Sequence, residues 1–166
     1  MAILQIKKYP EKILKSKAIK ISRLDDKLIK LSKDMIETMY FFNGIGLAAN
    51  QVGELSSVFV ADIKPDGKKK PVAFFNPQIL SYDDNYYLEE GCLSFPGLSV
   101  KIKRAEKIVV SGITPDEKEI KIEVNGLLAR VFQHEIDHLN GIVFIDKVNP
   151  ITRWKLRNKY LKAARE

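Results

Sequence analysis

The sequence predicts an α+β fold: small antiparallel or mixed β-sheets packed around a central buried helix, with one helix near the N-terminus and another at the C-terminus. Three observations carry that expectation. The middle of the chain holds two strand–turn–strand signals, at residues 57–75 and 107–124. After them, residues 125–139 are apolar around most of a helical circumference, as a buried helix is. Segments at both ends carry apolar residues at helical spacing. At 166 residues, 45% hydrophobic and 30% charged, the chain has the size and composition of one globular domain, so residues 1–166 read as a single domain.

Taken in order, Pro10 sits where a first helical turn begins, with Ile13 and Leu14 behind it. Asp25 and Asp26 favour a helix start, Leu28, Leu31, Met35, Met39 and Phe42 recur three and four apart, and Asn43-Gly44 ends the run. Residues 57–63 and 71–75 flank Lys64-Pro65-Asp66-Gly67, where Pro presets φ and Gly accepts a positive value. Residues 107–113 and 119–124 flank Thr114-Pro115-Asp116, and the strict alternation of 119–124 predicts a strand wet on one face. Asn125 is positioned to cap the central helix, which runs through Leu127, Leu128, Val131, Phe132, His134 and His138 until Asn140-Gly141 closes it. A last helix starts near Asn149-Pro150 and carries Trp154, Leu156, Tyr160 and Leu161 among basic residues.

Several classes drop out early. No apolar run approaches the ~18 residues needed to cross a bilayer, and the opening residues lack the layout of a signal peptide. A single cysteine forms no internal disulfide, which points to a reducing, cytoplasmic setting.

Histidine is the scarce residue. The chain has only two, His134 and His138, and two histidines scattered over such a length would stand four apart about 1% of the time. His134-Glu135-Ile136-Asp137-His138 is an H-E-x-x-H pattern on a predicted helix. Residues i and i+4 share one face a turn apart, so both imidazoles reach one cation. Glu135 is rotated about 100° away, close enough to touch a water on that cation without displacing it. Two metal ligands and a general base therefore fit better than two surface histidines, because the helix reads as buried.

A hydrolytic metal site wants three protein ligands and one open position. A metzincin-type continuation, H-x-x-G-x-x-H, fails: Gly141 fits, but Phe144 stands where the last histidine belongs. A thermolysin-type site needs a downstream carboxylate, and beyond Asp146 the chain offers only Glu166. The remaining soft ligand is Cys92, in Glu89-Glu90-Gly91-Cys92-Leu93-Ser94-Phe95-Pro96-Gly97. A lone cysteine is by default a small buried hydrophobe. Here the Gly before it and the Pro-Gly after it predict a tight loop, and the missing third ligand makes Cys92 the expected one. Cys-His-His with water in fourth place is a catalytic arrangement.

A third stretch, Gly44-Ile45-Gly46-Leu47-Ala48-Ala49-Asn50-Gln51-Val52-Gly53, has three glycines that let something approach the backbone closely. It precedes a strand instead of opening a helix after one, so it is no dinucleotide fingerprint. Gln51 is a neutral amide able to donate to a developing oxyanion; a glycine-rich turn with a solvated glutamine is the alternative.

Together, residues 44–53, 90–94 and 133–141 resemble the peptide deformylases. The family pattern is G-h-G-L-A-A-x-Q-h-G, then E-G-C-L-S, then Q-H-E-x-D-H-L-x-G (h apolar), and this sequence matches all three blocks in order. Length and a basic C-terminal helix are similar to the bacterial form. The resemblance implies a hydrolase that removes the formyl group from the N-terminal formylmethionine of newly made polypeptides and releases formate. It implies Cys92, His134 and His138 as ligands of one divalent metal ion per chain, usually Fe(II) in this family and replaceable by Ni, Co or Zn. Glu135 would take a proton from the metal-bound water and later hand it to the departing amine. The Gln51 amide and the Leu93 backbone N–H would stabilise the tetrahedral oxyanion.

On the central helix, Leu127, Arg130 and Val131 lie three or four residues from one another or from His134, so they share or border its face. With Ile45 and Leu88 they are the expected residues around the methionine side chain, and Gly46 and Gly91 are further expected substrate-binding residues. Arg130 is the awkward member: its alkyl stem can line a wall while the guanidinium reaches water or a carboxylate. Another HExxH-type amidohydrolase or peptidase would keep the helix pair but leave Gln51 and the glycine block without a role. An RNA-binding module would rest on charge alone.

The net charge is +7. From residue 147 onward Lys147, Arg153, Lys155, Arg157, Lys159, Lys162 and Arg165 face a single acid, Glu166, a net +6. Such a run is either a solvated face or a docking surface. The resemblance implies weak, salt-sensitive association with the ribosome through this helix. The expected partners are N-formylmethionyl peptides and nascent chains, not DNA or a membrane.

Overall fold

Asp25 accepts a hydrogen bond from the Leu28 N–H (2.8 Å) and starts α1, Asp26–Phe41, in the computed structural model of the chain, which describes residues 2–164. Met35 and Met39 are fully buried, as their spacing predicts. The helix also buries Asp34 and Thr38, whose side chains accept the Ala2 and Leu4 N–H groups at 2.9 Å each and tie down the N-terminal segment. Phe42 departs from the expected core stripe: it falls just past the helix and is 38% exposed.

Seven strands follow, β1 (Gly46–Ala48), β2 (Val58–Ala61), β3 (Val72–Asp83), β4 (Tyr86–Gly91), β5 (Ser99–Arg104), β6 (Lys107–Ile113) and β7 (Glu119–Asn125). Five make one sheet in the order β1-β2-β3-β6-β7, and β4 pairs with β5 separately. Every pairing between these strands is antiparallel; the parallel contact among the described residues is an isolated bridge, Ile19 to Ser56. The sheets are thus antiparallel rather than mixed. Both predicted hairpins form, as β2–β3 and β6–β7, and Gly67 takes the positive φ (72°) that the first turn requires.

β3 runs eight residues past its expected end at 75. Pro77 cannot donate to a ladder, and the register shift between Phe75 and Gln78 absorbs it in a bulge. β4 and β5 carry no strand expectation from the sequence. In β5 the inward residues are Val100, Ile102 and Arg104, and a buried arginine at a core position hides the alternation.

α2, Gly126–Leu139, buries ten of its fourteen residues. It lies against β1 and β2, with the Phe132 ring 4.9 Å from Phe59 and 5.1 Å from Phe74. Burying each such ring contributes about 2–3 kcal/mol. Asn125 stands at the N-cap but makes no capping bond through its side chain; the Gly126 N–H donates instead to the Glu106 carbonyl (2.9 Å). Gln133 exchanges two hydrogen bonds with the backbone of Ala105 (3.0 and 2.9 Å), which fixes the helix against the β5–β6 connection.

α3, Pro150–Ala163, is capped by Asn149, which accepts the Thr152 N–H. Tyr160 holds it down, packing on Phe95 and Tyr9. Trp154 is 63% exposed and does not anchor the helix. Arg165 and Glu166, counted above in the basic segment, lie outside the described residues, as does Met1.

Candidate functional site

The helical spacing does what it predicts: His134 and His138 turn the same way from α2, with Nε2 atoms 3.2 Å apart. β4 ends at Gly91 and delivers Cys92 to the same point, its Sγ 3.2 Å from the His138 Nε2. The three ligand atoms lie within 4.8 Å of one another. A tetrahedral ion with bonds of roughly 2.0–2.3 Å keeps its ligand atoms about 3.3–3.8 Å apart. The cluster therefore has the donors and nearly the dimensions of a catalytic coordination shell.

Behind this cluster stands a buried charge network. The Glu90 carboxylate faces the His134 Nδ1 at 3.0 Å, which leaves Nε2 free to ligate. Arg104 donates to Glu90 through Nε (2.7 Å) and Nη2 (3.0 Å) and to Asp137 through Nη1 (2.6 Å). Arg130 donates to Glu90 at 2.5 Å and to the carbonyls of Ile102 and Tyr86 at 3.2 Å each, with its guanidinium over the Tyr86 ring. Burial pushes the Glu90 pKa up, but the hydrogen bonds from His134 and Arg104 outweigh it and bring it down to about 2. Glu90 is thus an anion held between two cations. The network also ties β4 and β5, which precede and follow the Cys92 loop, to the histidine helix.

Glu135 is buried on α2, its Oε2 without a hydrogen-bond partner among the described residues. Burial, helped by Glu90 and Asp137 against His134 and Arg104, raises its pKa to about 7. A cation in the neighbouring cluster would lower that value. The glycine block earns its composition here: a Cβ at Gly46 would collide with the Glu135 carboxylate and approach Val131 Cγ1 to 2.8 Å. Gln51 follows in a short 3-10 turn, Ala49–Val52. Its Oε1 accepts the Ala48 N–H (2.8 Å), which aims the NH2 group at the Cys92 Sγ (3.5 Å) and Ser94 Oγ (3.3 Å). The solvated-glutamine alternative fails, because Gln51 is buried.

These groups border one cleft of about 800 Å³. Of the residues expected there, Ile45, Gly46, Gln51, Gly91, Cys92, Leu93, Leu127, Arg130, Val131, His134 and Glu135 line it. His138 does not border the cleft; it is buried against Cys92 and His134. Leu88 does not join them: it is 42% exposed, and only its carbonyl is met by the Arg130 guanidinium (3.5 Å). Arg130 resolves as the stem-and-carboxylate arrangement, with Glu90 as the carboxylate.

The family model for polypeptide deformylase matches residues 3–154. The chain belongs to the polypeptide deformylase family. It is 50% identical over 161 residues to a peptide deformylase of Thermodesulfovibrio yellowstonii, covering 96% of this chain and 98% of the relative. Against a peptide deformylase of Syntrophobacter fumaroxidans it is 47% identical over 167 residues, covering 100% and 98%. The crystal structure of a peptide deformylase from Legionella pneumophila superposes with a TM-score of 0.91 at 40% identity, over 99% of this chain and 96% of that one. The family thus supports the α+β fold and the metal-dependent hydrolase read from the sequence, over an unrelated HExxH enzyme.

Within this deformylase site, sequence reasoning missed the supporting residues. Glu90 and Gln133 stand inside the matched blocks, but the bonds they make cross 44 and 28 residues. No local period signals such partners. The Asn50 side chain, which donates to the His138 carbonyl and so fixes the end of α2, is equally silent in one dimension.

Proposed function

We propose that Cys92, His134 and His138 hold one divalent ion in the cleft, and that Glu135, Gln51 and the Leu93 N–H act on a formyl amide beside it. The chain is a metal-dependent hydrolase that removes the formyl group from an N-terminal formylmethionine. The observation carrying the assignment of roles is the closed Cys–His–His set next to a buried carboxylate with an oxygen to spare. When bound, the ion supplies Lewis acidity, polarising the formyl oxygen and acidifying a water.

Glu135 takes a proton from the attacking water and returns it to the departing α-amine, a task suited to a buried carboxylate with one oxygen free of partners among the described residues. The Gln51 NH2 group, held in direction by the Ala48 N–H, donates to the formyl oxygen as it becomes negative, together with the Leu93 N–H. Ile45, Leu127, Val131 and the stem of Arg130 take the methionine side chain, and Gly46 and Gly91 leave room for the peptide backbone. Residues 1–166 act as one catalytic domain. Formate release from a formyl-Met peptide, read beside metal content, is the direct test; a metal-loaded protein that releases none overturns the reading.

Gln51→Leu is expected to leave the metal in place and lower kcat by ~10²–10³-fold, about 3–4 kcal/mol of transition-state stabilisation. A raised KM at unchanged kcat would remove Gln51 from the oxyanion role. Fe(II) is the proposed resident ion, with Ni, Co or Zn able to replace it: a thiolate with two imidazoles admits all four, and the resemblance favours iron. Metal analysis after anaerobic purification decides this, and stoichiometric zinc without iron contradicts it.

The working place is the cytoplasm, beside the ribosome. No helix of the described residues is long and apolar enough to cross a membrane. Arg153, Lys155, Arg157, Lys159 and Lys162 are all exposed on α3, which is held to the body chiefly through Tyr160. Reversing the charge of Arg153, Arg157 and Lys162 should abolish low-salt co-sedimentation with ribosomes and spare hydrolysis of a short formyl-Met peptide. Undiminished co-sedimentation would make α3 only a solvated face.

A further inference from the structure

The charged residues around the cleft are Lys8, Glu89, Glu90, Arg130 and Glu135, together with His134. Most have their charge answered within the site. Glu90 and Arg130 neutralise each other at 2.5 Å, and Glu135 and His134 belong to the reacting centre; Glu89 accepts the Ser99 hydroxyl at 2.6 Å and stays an anion on the rim. Lys8 differs. Its Nζ donates to the Leu93 carbonyl at 2.6 Å, and no carboxylate among the described residues pairs with it. The nearby acid, Glu11, is engaged by the Lys8 backbone N–H and by Lys7.

The backbone that carries Lys8 is also fastened. The Lys7 N–H donates to the Gln51 carbonyl (2.7 Å) and the Tyr9 N–H to the Ser94 carbonyl (3.0 Å), so the segment around Lys8 is fastened to both loops of the reacting centre. The Lys8 Nζ lies 6.0 Å from the centre of the Phe42 ring. Phe42, Ile45 and Leu127 are large exposed apolar residues of the cleft. Lys8 and Phe42 line the same cleft as Cys92 and Glu135, so a peptide whose formyl end reaches those two residues has Lys8 on a wall of the space its following residues occupy. Burial at the cleft edge lowers the Lys8 pKa, with Cys92 pulling it the other way.

We infer that Lys8 is a specificity-determining residue that binds a carboxylate on the second residue after the methionine, either an acidic side chain or a free C-terminus. This rests on the deformylase reading and deepens it by naming the substrate class the enzyme prefers. Lys8 is exposed, so an ion pair on it is screened by salt, but its backbone is fastened and its Nζ already hydrogen-bonded, which lowers the further ordering the pair requires. The discrimination appears in KM, because the contact lies outside the reacting atoms and is equal in ground and transition states.

The test measures kcat/KM at low salt for amidated formyl-Met-Ala-Asp, formyl-Met-Ala-Ser and formyl-Met-Ala-Lys, with the free-acid Ser peptide as a fourth substrate. The metal-loaded protein is compared with Lys8→Gln, Lys8→Glu and Lys8→Arg. The parent should favour Asp over Lys by about fivefold or more and the free acid over its amide. Lys8→Arg should keep the order, Lys8→Gln flatten it and Lys8→Glu invert it, and added salt should erode it. Equal rates across the series in the parent overturn the inference. So does a uniform slowing of every peptide by Lys8→Gln, which would reduce Lys8 to a prop for the Leu93 loop. Turnover of no formyl peptide at all is a different failure, that of the deformylase reading itself.

Discussion

Replacing Cys92 by alanine is expected to remove metal and activity together. The substitution leaves two neutral imidazoles, 3.2 Å apart, and takes away the only anionic ligand of the set. Two-imidazole sites bind divalent ions far more weakly than three-ligand sites with a thiolate. Removing even a supporting partner of a metal ligand typically costs 10–100-fold in affinity, so loss of the ligand itself should exceed 10²-fold. The fold should survive, since Cys92 is half-buried in the loop after β4 and only borders the cluster of Phe95, Val100 and Ile102. Metal content after dialysis and turnover of a formyl-Met peptide provide the two readouts. A Cys92→Ala protein with stoichiometric metal and normal turnover would sink the assignment. Cys92→Asp gives a graded comparison, because a carboxylate keeps an anionic ligand while changing the electronics of the ion.

Glu135→Gln should do the opposite to the metal and nearly the same to the rate. The amide matches the carboxylate in shape, so it fits the space that Gly46 and Val131 leave and should not disturb the adjacent His134. It cannot accept the proton of the attacking water. The expected fall in kcat is ~10²-fold or more, with metal retained and KM little changed. The geometry offers no obvious substitute: the nearest other carboxylate of the site, Glu90, is committed to Arg104, Arg130 and His134. Activity within a few-fold of the parent would mean that the base lies elsewhere. Read together, the variants separate binding of the ion from use of it, since one loses both and the other loses only the second.

The features that were legible in the sequence depend on contacts a few residues apart. The i, i+4 placement of His134 and His138 is a property of any helix. The β2–β3 and β6–β7 turns follow from Pro and Gly backbone preferences, and Asp25 and Asn149 are good caps wherever a helix begins behind them. Scarcity supplied the rest: with two histidines and one cysteine, ligand count left Cys92 as the remaining soft donor. The three ordered blocks then pointed to the family without any coordinates.

What the tertiary structure alone decided joins residues that are far apart in the chain. Cys92 meets His138 across 46 positions, Gln51 meets Cys92 across 41, and Glu90 meets His134 across 44. No periodicity encodes such meetings, because they are set by how the sheets and α2 pack. The same cause accounts for the local misreadings. Phe42 has the apolar character of its stripe but lands at the cleft mouth, and β3 runs past its expected end because a bulge accommodates Pro77. Arg104 and Arg130 are buried because Glu90 stands between them. A charged side chain enters a core only when partners from other elements satisfy it. Those partners are what a linear sequence does not display.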